Sequence, residues 1–234
     1  MTITEMHTAF KRELDKIDSL QYPAFTAGEI DYFLNRAIIK FVKTRYSGVN
    51  IKQQSFEQTQ KRIEDIRTLV REVTVPCDTT DATKPNGYTL VDGFSNTVFD
   101  DDQYWLSLGE EVLINITSSD TDKRQRVTEI TANEYAVIID NPFSEHILHY
   151  NSAKPLRLFY TNTIEFISDG QYTIDEAYIR YIKKPEAVAL STTTDCELAD
   201  ITHDEIVLLA TQIALENIEQ PRYQSYTNEV MTME

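Results

Sequence analysis

The spacing of apolar residues switches twice along the chain, and that double switch constrains the fold more than any single motif. Up to about Arg71 the period is helical. Thr2-Ile3-Thr4-Glu5 reads as a capping box, followed by Met6, Ala9, Phe10, Leu14 and Ile17 at helical spacing, which predicts a helix over about 3–19. Tyr22-Pro23 breaks it. Thr26-Ala27-Gly28-Glu29 is a second capping box, and Ile30, Phe33, Leu34, Ala37, Ile38, Phe41 and Val42 then share one face, with Gly48 as a stop. Ser55-Phe56-Glu57-Gln58 opens a third helix with Phe56, Ile63, Ile66 and Val70 inward.

From Glu72 the period becomes that of strands. Glu72-Val73-Thr74-Val75-Pro76 alternates, and the residues that follow are rich in turn formers, including Pro85-Asn86-Gly87. Further strands are expected over 112–117, 126–130, 135–139 and 156–160. TIEFIS-DG-QYTI predicts a hairpin around Asp169-Gly170, a connection that needs positive φ. The segment after it continues as a long strand ended by Pro185, with Tyr178, Arg180 and Ile182 on one side and Ile179 and Tyr181 on the other.

Helical spacing returns at Thr202-His203-Asp204-Glu205, again a capping box. Ile206, Leu209, Ala210, Ile213, Ala214 and Ile218 form its stripe, while Val207, Leu208 and Leu215 add apolar surface on neighbouring faces. A helix apolar over more than one face must pack against several others, and the other helices stand at the start of the chain. The expected fold is therefore α+β: a helical bundle closed by both ends of the sequence (1–71 and 199–220), a mostly β domain inserted at 72–198, and an extended C-terminal arm at 221–234.

Charge divides along the same line. The formal net charge is -16; residues 1–71 carry 12 Lys+Arg against 9 Asp+Glu, a net of +3, which leaves 10 against 29, a net of -19, for residues 72–234. A surface that negative repels phosphate and argues against ordinary nucleic-acid binding. An acidic wall would nonetheless let DNA pass without sticking. No apolar run approaches the roughly 20 residues of a membrane span, and the opening residues lack the apolar stretch of a signal peptide, so a cytosol-like compartment without membrane contact is expected.

Catalytic signatures are missing from the sequence. His146 and His149 lie three apart, which on a helix would put two imidazoles on one face, but no third ligand has a fixed spacing. His203 reads as a neighbour of a helix cap, and His7 has no evident partner. Asp120-Thr121-Asp122 could begin a calcium loop, yet Lys123-Arg124 stand where a further oxygen ligand and a glycine are required. Cys77 and Cys196 show neither CxxC spacing nor a nucleophile context, and the six glycines offer little material for phosphate-cradling loops. The expectation is a protein that is not an enzyme and holds no cofactor or metal. Tyr88, Tyr104, Trp105 and Tyr135 leave one other class open, a β-domain receptor with an aromatic glycan platform.

The ending raises a separate question. Pro221 halts the last helix, and the fourteen residues from there could reach about 45 Å when extended. Along them stand Arg222, Tyr223, Tyr226, Val230, Met231 and Met233, and Tyr and Met are types favoured in interface cores. They are the expected interface residues of an arm that finds its contacts on another molecule.

The blocks EAYIRYIKKPEAVAL and CELADITHDEIVLLATQIALENIEQPRYQSY, together with FTAGEIDYFLNRAIIKFVKTRYSG and FEQTQKRIEDIRTLV, resemble structural proteins of crAss-like, podovirus-type tailed bacteriophages, in particular the connector rings between portal and tail. The resemblance covers about half of the chain and leaves 78–165 unmatched. It implies a virion protein made in the host cytoplasm, a homo-oligomeric ring commonly of twelve copies, contact with the portal and adjacent tail or connector rings, and a lumen through which DNA leaves. It also implies that the C-terminal arm, from Pro221 onward, reaches into the portal or a neighbouring subunit. A tail-hub or tube ring is the alternative within the same class.

Overall fold

The computed structural model describes residues 1–17, 25–48, 55–81, 84–99, 103–116 and 121–217. Its elements are α1 (Ile3–Ile17), α2 (Ala27–Ser47), α3 (Gln60–Ile66), β1 (Val70–Asp81), β2 (Lys84–Leu90), β3 (Tyr104–Ile116), β4 (Thr121–Arg126), β5 (Thr128–Glu129), α4 (Ala132–Ile138), β6 (Leu156–Phe159), β7 (Ile164–Ile167), β8 (Tyr172–Lys183) and α5 (His203–Asn217). They fall into two compact units: Met1–Leu69 with Pro185–Glu234, and Val70–Lys184. The fold class is α+β.

In the helical unit, α2 forms because its apolar residues repeat on one face and both ends are capped. The Thr26 amide donates to Glu29 Oε2 at 2.8 Å, and Gly48 closes the other end at φ 69°. Ile30, Phe33, Leu34, Ala37, Ile38, Phe41 and Val42 are all buried. α5 packs against both α1 and α2 and is buried on nearly every face from Ile206 to Leu215, as its broad apolar surface requires. The third helix is shorter than its sequence suggests: a 3-10 turn at Phe56–Gln58, seven residues of α-helix and a second 3-10 turn end at Leu69, so Val70 begins a strand.

Residues 185–198 have no period, yet they are firmly attached. Asn35 Nδ2 donates to Val188 O and Asn35 Oδ1 accepts from Val188 N, both at 2.8 Å, so one side chain pairs with the backbone as a strand neighbour would. One turn earlier, Asp31 accepts from Leu190 N and from His7 Nε2. Asp31 and Asn35 are four apart and thus share a face of α2.

The β unit is a sheet of order β4-β3-β8-β1-β2-β7-β6-β5. Its two outermost strands are consecutive in the chain: β4 ends at Arg126 and β5 begins at Thr128. One residue, Val127, thus joins the rims, and the sheet curls until it is nearly a barrel. β1 turns the corner. Val70 to Pro76 pair with β8, whereas the residues from Cys77 onward pair with β2. Inside lie Val112, Ile114, Phe166, Ile174, Ile179 and Tyr181 among others. In β8 the inward positions change from even (Tyr172, Ile174) to odd (Ala177, Ile179, Tyr181), and the register shift against Leu113/Ile114 marks the bulge that causes it. A smaller cluster on the outside, Leu156, Leu158 and Ile167, is covered by Tyr135 and Ile138 of α4.

Several local expectations are corrected. Tyr135–Ile138 are helical because Thr131 and Glu134 form a capping box, with Thr131 N donating to Glu134 Oε2 at 2.9 Å. Asp169-Gly170 turns the chain with Gly170 at φ 84°, but β7 and β8 do not pair: β7 lies between β2 and β6, and β8 between β1 and β3. Asn86-Gly87 belong to β2 and not to a turn. The strand expected over 126–130 reduces to Thr128–Glu129. α5 begins without the expected box, since Thr202 Oγ1 donates to Ala199 O and the Glu205 carboxylate engages Arg45.

Candidate functional site

The groups that could have carried chemistry are each occupied structurally. His146 is buried, contacts Ser144 Oγ through Nδ1 at 2.8 Å and is held below the usual imidazole range by desolvation; His149 is exposed in a turn bridged to Ser152. His203 is buried with Nε2 2.9 Å from Leu198 O, and His7 faces Asp31. Among the described residues no group of three His, Cys, Asp or Glu side chains could hold a metal ion. Asp120 lies outside the described residues. Burial pushes the Cys77 thiol up to about 12 and the Cys196 thiol up to about 11, far from a nucleophile's range. Three of the four aromatics named from the sequence are engaged in packing. Tyr88 is in the barrel core, Tyr104 stacks on Phe94 at 4.2 Å between centroids and packs against that core, and Tyr135 covers the outer cluster.

What the structure does build is rigid charged architecture. In the helical unit Arg45, 2% exposed, lies beside Asp65 (Nε to Oδ2, 3.0 Å) and Glu205 (Nη2 to Oε2, 2.5 Å), over the Phe41 ring. Arg62 stands 3.8 Å from Asp65, and Lys61 reaches Glu205 at 3.4 Å. One cluster therefore ties α2, α3 and α5 together. Desolvation raises the Asp65 carboxyl above its ordinary value, with Arg45 opposing. Inside the barrel, Arg157 of β6 bonds Glu110 of β3, strands near opposite ends of the sheet order, and also reaches Glu129 at 2.8 Å. This pair links two strands that are not neighbours in the sheet.

The outer face of β4, β3, β8 and β1 carries a charge ladder. Arg124 bonds Glu111 and Glu72 and stacks on Tyr178 at 4.0 Å, while Arg180 Nε donates to Glu72 at 3.1 Å. These two arginines hold the Glu72 carboxyl below the usual range. Towards the other end of the same face Asp78, Asp122 and Asp175 are exposed and Glu176 is half-buried, and among the described residues none of the four has an ion-pair partner. The expected arm residues Pro221, Arg222, Tyr223, Tyr226, Val230, Met231 and Met233 all lie outside the described residues.

Comparison with known families says what kind of protein carries these charged contacts. A family model described as phage tail ring protein 3/4 matches residues 1–225. The chain belongs to the crAss-like phage tail ring protein 3/4 family. No curated protein matches it. As a tail ring protein it is a structural component of the virion that assembles into an oligomeric ring with other tail components. No described helix is long and apolar enough to cross a membrane. Residues 78–165, which the sequence resemblance leaves unmatched, lie within the matched span.

Proposed function

We propose that this ring protein is a head-tail connector subunit: about twelve copies close into a ring that joins portal to tail and lines part of the DNA channel, and it has no enzymatic role. The family match over nearly the whole chain carries the ring; the net charge of -19 over residues 72–234 supports a channel, because a wall that repels phosphate lets DNA pass without capturing it. The arm from Pro221, with Tyr223, Tyr226, Val230, Met231 and Met233, docks on the portal or a neighbouring copy. The family's description as a tail ring favours a second position, further from the portal in the tail hub or tube.

Cryo-electron microscopy of the assembled particle tests both. A ring of this protein touching the portal supports the connector, a ring separated from the portal supports the second position, and absence from every ring refutes the function. Deleting 221–234 should leave the subunit folded and weaken its ring or portal association; unchanged assembly would remove the arm from the proposal.

A further inference from the structure

The solvent face of α2 carries a basic stripe. Tyr32, Arg36, Lys40 and Lys43 are exposed, and at 100° per residue they lie within an arc of about 80° that runs roughly 16 Å along the helix. Tyr32 is 58% exposed. The nearest acidic residues on that helix are committed elsewhere: Glu29 to the cap and Asp31 to His7 and Leu190. Among the described residues Arg36 and Lys40 have no ion-pair partner.

We propose that this stripe docks on a second copy of the chain, against the acidic end of its outer sheet face at Asp78, Asp122, Asp175 and Glu176. The proposal rests on the ring reading and names the faces that close it. A ring of more than two copies needs two different surfaces on each subunit, one complementary to the other. The stripe and the acidic face meet that requirement in sign. Four adjacent strands, β4, β3, β8 and β1, place the four carboxylates together: Pro76 and Leu113 both stand opposite Glu176, and Asp122 stands opposite Asn115, itself opposite Thr173. Exposed Tyr and Arg side by side are the residue types that anchor protein interfaces. Duplex DNA is the weaker occupant, because a net charge of -16 repels phosphate around a stripe this narrow.

The test uses full-length protein and sedimentation or mass photometry across a concentration and salt series. R36E/K40E and, separately, D122K/D175K should each weaken self-association roughly tenfold or more at low salt. The combined variant should recover most of the loss, and wild-type rings should loosen as salt screens the contact. Circular dichroism checks that each variant is folded. If wild type forms rings and R36E/K40E forms them equally well, the docking face is wrong while the ring reading stands; two weakened variants without mutual rescue likewise overturn it. A wild type that stays monomeric throughout overturns the ring reading and this proposal together. Loss of duplex-DNA retention in R36E/K40E with unchanged self-association would make the stripe a phosphate surface and overturn the proposal.

Discussion

Replacing Arg45 by methionine keeps the volume of the side chain over Phe41 and removes the cation from the cluster that joins α2, α3 and α5. Glu205 is partly exposed and retains Lys61. Asp65 does not have that escape, being 3% exposed with Arg62, at 3.8 Å, as its remaining ion-pair partner among the described residues. Breaking a buried pair on one side costs about 3–5 kcal/mol, because the other charge stays desolvated. At about 1–3 kcal/mol per molar urea, the midpoint of the helical unit should fall by roughly 2 M. The units can be followed separately, since Trp105 is the single tryptophan and lies in β3, while most helix is in the other unit. Helical circular dichroism should shift and tryptophan fluorescence should report the β unit. R45M/D65L, which removes both charges, should recover most of the loss. A pH series adds a check of sign. The folded Asp65 carboxyl is raised above its ordinary 3.8, so its contribution is intact below that value and is lost as pH rises through the folded value. Without Arg45 the carboxyl rises further, so the R45M penalty should shrink on acidification. A penalty under about 1 kcal/mol, or one that does not change with pH, would refute the reasoning.

Three further expectations follow the same logic. Gly93 has φ 57°, and a Cβ there would meet Asn162 O at 2.1 Å, so Gly93→Ala should cost about 2 kcal/mol or more in the β unit by urea unfolding. Glu110→Gln leaves Arg157 buried with the exposed Glu129 carboxylate as its remaining ion-pair partner among the described residues and should lower β-unit stability by about 2 kcal/mol or more, read through Trp105. Cys77 and Cys196, with thiols pushed up to about 12 and about 11, should react slowly with a disulfide reagent at pH 8 in the folded protein and rapidly in urea.

The helical face of α2 and the all-round burial of α5 were legible because packing there follows period alone. Other signals in the sequence are equally clear. Thr131-Ala132-Asn133-Glu134 is a capping box of the same form as Thr26–Glu29, yet Val137, Ile138 and Ile139 looked like strand. Arg45 stands four residues after Phe41, on the buried stripe, and a charge in that position announces a buried partner, although spacing cannot say that it is Asp65 and Glu205. Strand pairing was beyond reach for another reason. Asp169-Gly170 has the chemistry of a hairpin turn, but the partner of each strand is decided by long-range contacts, and β8 finds β1 and β3 across the barrel. Segment 185–198 has no pattern of its own because its order comes from Asp31 and Asn35 on α2. The charge division is visible in the sequence, whereas the exposure of Arg36 and Lys40 on one side of α2 comes only with the fold.

Val70 and Ile182 stand directly opposite each other in the ladder between β1 and β8. The excursion through 115 residues, Val70–Lys184, therefore begins and ends at one doorway. A lobe mounted that way behaves as a cassette. Because it leaves and returns at adjacent positions, its length can change without altering the gap that it closes.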